Sequence, residues 1–128
     1  MDAVRGQRVS SPSETCEIVV QLRGDAQLTL RNGKGERVVI TYDAAEQTID
    51  FDRRRSGDVS FSEAFPCIVT SPTYGQIKTL RIFVDRSSIG IFDADGKMAM
   101  TNLVFPSDPY NRLVVKGKAK ATIYKLKF

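Results

Sequence analysis

Two aspartates, Asp50 and Asp52, stand two residues apart in Thr48-Ile49-Asp50-Phe51-Asp52, a spacing that sets both carboxylates on one face of a strand. Carboxyl groups roughly 5 to 9.5 Å apart can divide acid and base or nucleophile roles between them. That chemistry needs one carboxyl raised by burial, yet Arg53, Arg54 and Arg55 follow at once and favour the ionised form. The pair reads as a solvated, ion-paired face, and no catalytic residue is expected in the chain. Asp93-Ala94-Asp95-Gly96 opens like a calcium loop, but the distal glutamate such a loop needs is missing and strand patterns flank it, so a hairpin turn is expected and no metal. Histidine is absent, which removes imidazole bases, Ser/His/Asp and Cys/His groups and imidazole metal sites together. No cofactor site is legible.

Cys16 and Cys67 lie 51 positions apart without Cys-x-x-Cys spacing, and each sits beside apolar residues. They read as small hydrophobes, with one long-range disulfide as the alternative. The chain carries 19 Lys+Arg against 15 Asp+Glu, net +4, and beyond residue 109 it holds Arg112, Lys116, Lys118, Lys120, Lys125 and Lys127 with no acid. Alternation of Lys116, Lys118 and Lys120 fits outward residues of a strand edge, where lysine deters pairing with other sheets. Aromatic residues are not interleaved with these cations, so nucleic acid is not an expected partner. No apolar run approaches the roughly 20 residues of a membrane helix, and no membrane partner is expected.

The elements that must position these residues are strands. In 128 residues with 41% hydrophobic and 27% charged residues, apolar positions recur with period two almost throughout. Cys16, Ile18, Val20 and Leu22 share one face of a first strand; Leu28 and Leu30 start a second; Asn32-Gly33-Lys34-Gly35 turns the chain into a third carrying Val38, Ile40 and Tyr42. Ile49 and Phe51, then Leu80, Ile82 and Val84, then Ile89 and Ile91 continue the pattern. Lys116-Gly117-Lys118 is read as a turn between Leu113 to Val115 and a final strand from Ala121. Ten or eleven short strands without a helix exceed one flat open sheet. The expected fold is all-β, a two-layer antiparallel β-sandwich of jelly-roll, concanavalin A-like type over residues 14–128, with 1–13 a flexible lead-in or linker.

Asp85-Arg86-Ser87-Ser88-Ile89-Gly90-Ile91-Phe92, followed by Gly96, Thr101 and Phe105-Pro106, resembles the C-terminal β-sandwich module of glycoside hydrolase family 32, the invertase, inulinase and levanase family. Asp52-Arg53-Arg54-Arg55-Ser56-Gly57 matches that module's Asp-Arg-x-x-Ser-Gly at a suitable distance upstream. One departure is Gly90, where the family usually has glutamate. The resemblance implies that hydrolysis of β-fructosyl linkages belongs to an N-terminal five-bladed propeller, whose Asn-Asp-Pro-Asn, Arg-Asp-Pro and Glu-Cys signatures this sequence lacks. Ser107-Asp108-Pro109 lacks the arginine, and Cys16 follows Thr15. The implied role is a non-catalytic module whose partner is the propeller of the same polypeptide, in an enzyme acting in the periplasm, at the cell surface or outside the cell.

Two further roles stay open at this point: an independent carbohydrate-binding module with fructan as partner, and a structural or assembly module. Sugar binding needs an aromatic ring to stack on apolar sugar faces beside a few polar groups. Tyr74 and Tyr110 lie in loop-like segments and are the candidate carbohydrate contacts, whereas Tyr42 and Tyr124 follow strand patterns and are expected to pack. Arg53, Arg54 and Arg55 are the candidate domain-interface residues, since guanidinium groups suit bidentate contacts to carboxylates across an interface.

Overall fold

The computed structural model describes residues 15–58, 60, 67–96 and 98–124, together with the backbone of 2–3, 8–10 and 125. The rest of the 1–13 lead-in, Lys97 and Lys127 lie outside the described residues. Ten strands follow one another: β1 Asp2–Ala3, β2 Arg8–Ser10, β3 Cys16–Arg31, β4 Arg37–Asp43, β5 Thr48–Asp52, β6 Ile68–Pro72, β7 Thr79–Val84, β8 Ser88–Asp93, β9 Ala99–Leu103 and β10 Arg112–Lys125. All pairings are antiparallel.

Two long strands organise the molecule. β10 runs along one edge of β3 from Arg112↔Arg31 to Lys125↔Cys16. On its other edge β3 carries β7 along residues 16–21 and β4 along residues 26–31. The hydrogen-bonded sheet therefore has two wings, β6-β5-β4 on one half of the ribbon and β9-β8-β7 on the other. β2 completes the first half and β1 the second by pairing with β10.

Alternation explains why the wings close on each other. Leu28, Leu30, Val38, Ile40, Tyr42, Ile49 and Phe51 face inward from the first half, and Ile18, Val20, Leu80, Ile82, Ile89 and Ile91 from the second, all in one buried cluster. A sheet that buries one face must cover it, and the second half provides the cover. The two-layer all-β reading holds.

One expected strand break and one expected turn are instead bends within continuous strands. The first and second expected strands are one, β3, whose regular burial alternation breaks at Arg23-Gly24-Asp25 and resumes at Ala26. Lys116-Gly117-Lys118 likewise lies inside β10, where the register shifts between Gly117 and Ala119. Gly117 has φ 91°, and a Cβ there would lie 2.4 Å from Asp25 O. The bulge bends the ribbon from one layer into the other, and a glycine is required because β3 passes so close. On the second edge of β10, the strand that carries Lys116, Lys118 and Lys120, the described partners are at 112–114 and 121–122.

Cys16 is fully buried, Cys67 is half-buried, and no disulfide joins them. Tyr42 packs as expected, but Tyr124 is 51% exposed because its position, opposite Glu17, falls on the outer face.

Candidate functional site

Three connections meet at the free end of the first layer: the β3–β4 turn, the residues after β5, and the chain leading into β10. Asn32 organises the first. Its Oδ1 accepts from the Lys34 and Glu36 N–H groups at 2.9 and 3.2 Å, and its Nδ2 donates to Glu36 Oε1 and to Asp108 O, each at 2.9 Å. Glu36 Oε1 also accepts from Ser107 N–H and Ser107 Oγ, at 2.8 and 2.9 Å. Burial acts to raise the Glu36 carboxyl, but the donors from Asn32 and Ser107 outweigh it and hold the group below its ordinary value.

The Asp-Arg-x-x-Ser-Gly segment supplies the other half of this clasp. Ser56 is fully buried; its N–H and Oγ both donate to Arg53 O, at 3.2 and 2.8 Å. Tyr110 OH donates to Ser56 O, Arg55 O accepts from Arg37 N–H at 2.7 Å, and Asp58 N–H donates to Phe105 O at 2.9 Å. Gly57 has φ 152°, and a Cβ there would sit 2.2 Å from Phe105 O. The motif's serine and glycine are thus fixed by packing between two loops and by the shape of the chain.

Its charged residues are used locally. Arg54 makes a two-point contact with Asp52, Nε to Oδ1 at 3.0 Å and Nη2 to Oδ2 at 2.8 Å. The Arg54 hydrogen bond is the largest influence on Asp52 and holds that carboxyl below its usual range. Asp50 accepts from Thr70 Oγ1 at 2.7 Å. An ionised, Arg-paired Asp52 has no proton to give, so the geometry supplies no acid partner for Asp50. Among the three arginines proposed for an interface, Arg54 is engaged with Asp52, Arg53 is half-buried, and Arg55 is exposed beside Arg37 in a crevice of about 50 Å³.

The two tyrosines proposed as sugar contacts part company. Tyr110 is 2% exposed with its hydroxyl on Ser56, so its ring offers no face to a sugar; polar neighbours mark a loop, but that loop lies over the core. Tyr74 is 71% exposed and has φ 56°, held in a tight turn where Thr73 Oγ1 donates to Gly75 O at 2.6 Å and Thr73 N–H to Gln47 O at 2.8 Å. The structure does not bring Tyr74 and Tyr110 into one site.

Asp85-Arg86-Ser87-Ser88 forms the β7–β8 turn. Asp85 N–H donates to Ser88 O at 2.9 Å, Asp85 Oδ1 accepts from Arg86 N–H at 2.8 Å and from Thr15 Oγ1 at 3.3 Å, and Ser87 O accepts from Val104 N–H at 3.0 Å. Beyond it, the Phe92 ring leans over Gly90, its Cε2 2.9 Å from where a Cβ would stand. Phe92 meets Phe83 edge to face at 5.6 Å, and Arg81, paired with Glu17, lies over Phe83. An aromatic shelf thus covers Gly90. Asp93-Ala94-Asp95-Gly96 is a hairpin turn closed by Asp93 N–H to Met98 O at 3.1 Å, and no group of three metal-ligating side chains occurs among the described residues.

Glu36 and Asn32 were invisible as partners in the sequence. The turn signal around Asn32 was legible, but that its side chain would reach Asp108, 76 residues away, was not.

Fold and clasp together define a β-sandwich module whose motif residues hold its own loops in place. Residues 5–128 match the family model described as glycosyl hydrolases family 32 C terminal. The chain belongs to glycoside hydrolase family 32, as its non-catalytic C-terminal module. The extracellular exo-inulinase of Aspergillus awamori is 36% identical over 127 residues, covering 91% of this chain and 22% of that protein. The sucrose-6-phosphate hydrolase of Vibrio alginolyticus is 33% identical over 127 residues, covering 98% of this chain and 25% of that protein. The crystal structure of the A. awamori exo-inulinase superposes with a TM-score of 0.83 at 27% identity, covering 98% of this chain and 28% of that one. The chain spans about a quarter of the length of these relatives.

Proposed function

We propose that this chain serves a fructan-hydrolysing glycosidase of the levanase and inulinase kind, supporting an N-terminal five-bladed propeller that performs the chemistry. The observation that carries this reading is the use of both family motifs within the sandwich itself: Ser56 and Gly57 in the clasp, Asp85 and Ser88 in a turn, Asp52 on Arg54. Side chains so engaged keep a rigid shape that can support a neighbouring domain. Arg55 and the Arg37 beside it remain exposed as candidate contacts for carboxylates across such an interface. The parent enzyme is placed in the periplasm, at the cell surface or outside the cell, in keeping with the extracellular exo-inulinase among its relatives. Within residues 1–13, read as the lead-in joining the two parts, Asp2–Ala3 and Arg8–Ser10 pair with β10 and so serve the sandwich as well.

Joining the chain to the catalytic part of a family 32 exo-inulinase tests the reading. The fusion should outlast that catalytic part alone at raised temperature, with Arg37→Glu and Arg55→Glu together reducing the gain. Equal half-lives with and without the chain would refute support by this module.

One observation favours a second reading, independent carbohydrate binding. Tyr74 is a solvent-exposed ring on a backbone held at positive φ. Affinity electrophoresis in levan gels decides it: retardation abolished by Tyr74→Ala supports sugar contact there, and unretarded migration of the parent chain rejects it.

A further inference from the structure

A groove of about 880 Å³ lies where the long ribbon bends, away from both family motifs. Its walls carry Arg23, Lys78, Lys118 and Lys120, all exposed, with Gln21 between them and Leu22 and Ala119 as a buried apolar floor. Among the described residues no carboxylate lines it, and the two ion pairs there involve none of these cations. Of the described acids nearby, Asp25 Oδ1 accepts from Ala44 N–H at 2.8 Å and Glu17 pairs with Arg81. The Lys118 stem crosses Gly24, where a Cβ would come within 2.9 Å of its Cδ, so the bend is shaped around this lysine.

We propose that this groove binds a linear phosphodiester polymer with an open polyol backbone. Charge complementarity calls for a polyanion. Lys118 and Lys120, two residues apart on one strand face, place positive charge at intervals of roughly 7 Å, which suits a repeating anion. Lysines are point charges suited to phosphate, whereas a polycarboxylate would be met better by arginine forks, and protein interfaces are depleted in lysine. Among the described residues the groove holds no aromatic side chain on which a base could stack, which favours a polyol backbone over a nucleic acid. Gln21 presents an amide to backbone hydroxyls. The inference is independent of the fructan reading, since it uses other residues and another ligand.

Fluorescence anisotropy with a labelled glycerol-phosphate oligomer tests it on the 128-residue chain. With four phosphate contacts at about 0.7 counterion each, binding should weaken about 50-fold between 50 and 200 mM salt. In the Lys118→Glu, Lys120→Glu double variant, affinity at 50 mM salt should fall at least about tenfold, and the salt effect should shrink to about sevenfold, as expected for two contacts. Lys34→Glu with Arg112→Glu changes net charge equally at the far end of the first layer and should lose less than about threefold. Unfolding curves matching the parent confirm that both variants are folded. Absence of binding, or equal loss in the two double variants, overturns the groove as the site. Polyglutamate of equal charge binding as tightly overturns the phosphate assignment. Oligothymidylate of equal phosphate number binding more tightly overturns the polyol assignment in favour of nucleic acid.

Discussion

Replacing Gly57 with alanine should break the clasp, and the loss can be worked from the contacts around it. The new methyl carbon would lie 2.2 Å from Phe105 O, 2.5 Å from Phe105 C and 2.6 Å from Pro106 Cα, all backbone atoms that no rotamer change can move. Either residue 57 leaves φ 152° or the loop at 105–106 withdraws. Withdrawal removes the 2.9 Å hydrogen bond from Asp58 N–H to Phe105 O, worth about 1 kcal/mol. It also weakens the Tyr110 bond to Ser56 O, where leaving a buried carbonyl unmatched costs about 1–3 kcal/mol. With backbone strain of about 1 kcal/mol, the expected loss is about 3 kcal/mol. At a urea slope of about 2 kcal/mol/M the unfolding midpoint falls by about 1.5 M. Gly33→Ala is the control: nothing lies within 4 Å of its Cβ position, and the change should stay within about 0.5 kcal/mol. Tyr110→Phe removes only the hydroxyl and should cost about 1–2 kcal/mol, adding less than fully to Gly57→Ala. A Gly57→Ala midpoint indistinguishable from that of Gly33→Ala would refute the reasoning.

Gly117→Ala, with its Cβ 2.4 Å from Asp25 O at φ 91°, should cost about 2–3 kcal/mol and speed amide exchange around the bulge; unchanged exchange there would count against the bend as described. Burial pushes the Tyr110 phenol up, so its contribution is full below the unfolded value near pH 10 and declines as pH rises above it. Between pH 10 and 11.5, unfolding midpoints of Tyr110→Phe should therefore fall less steeply than those of the parent. The lowered Glu36 carboxyl works in the other direction: its contribution is present above the ordinary value of 4.5 and is lost as pH falls through the lower folded value. Glu36→Gln should flatten the acid limb of stability below pH 4.5, and an unaltered limb would contradict the clasp geometry.

The alternation of Ile18, Val20, Leu80, Ile82, Ile89 and Ile91 was legible because a strand's side-chain period is two whatever its partners. The hairpins at 32–35 and 93–96 were legible from turn chemistry for the same local reason. What escaped was long-range. Gly117 looks like a turn residue, yet it lies in a strand that bends, because the choice depends on how closely β3 and β10 approach one another. Tyr110 sits among Pro109, Asn111 and Asp108, a loop composition, but its ring is drawn into the core by a partner 54 residues away. The motif residues Asp52 to Gly57 were found by resemblance; that serine and glycine bind the sandwich to itself needed coordinates.

Fructose release from levan, inulin and sucrose by the 128-residue chain alone tests the central claim most directly. The account predicts none above buffer, with Asp50→Asn and Asp52→Asn indistinguishable from the parent. Sustained release that either substitution abolishes would contradict it, since it would place a working carboxylate pair on the strand where Asp52 is held by Arg54.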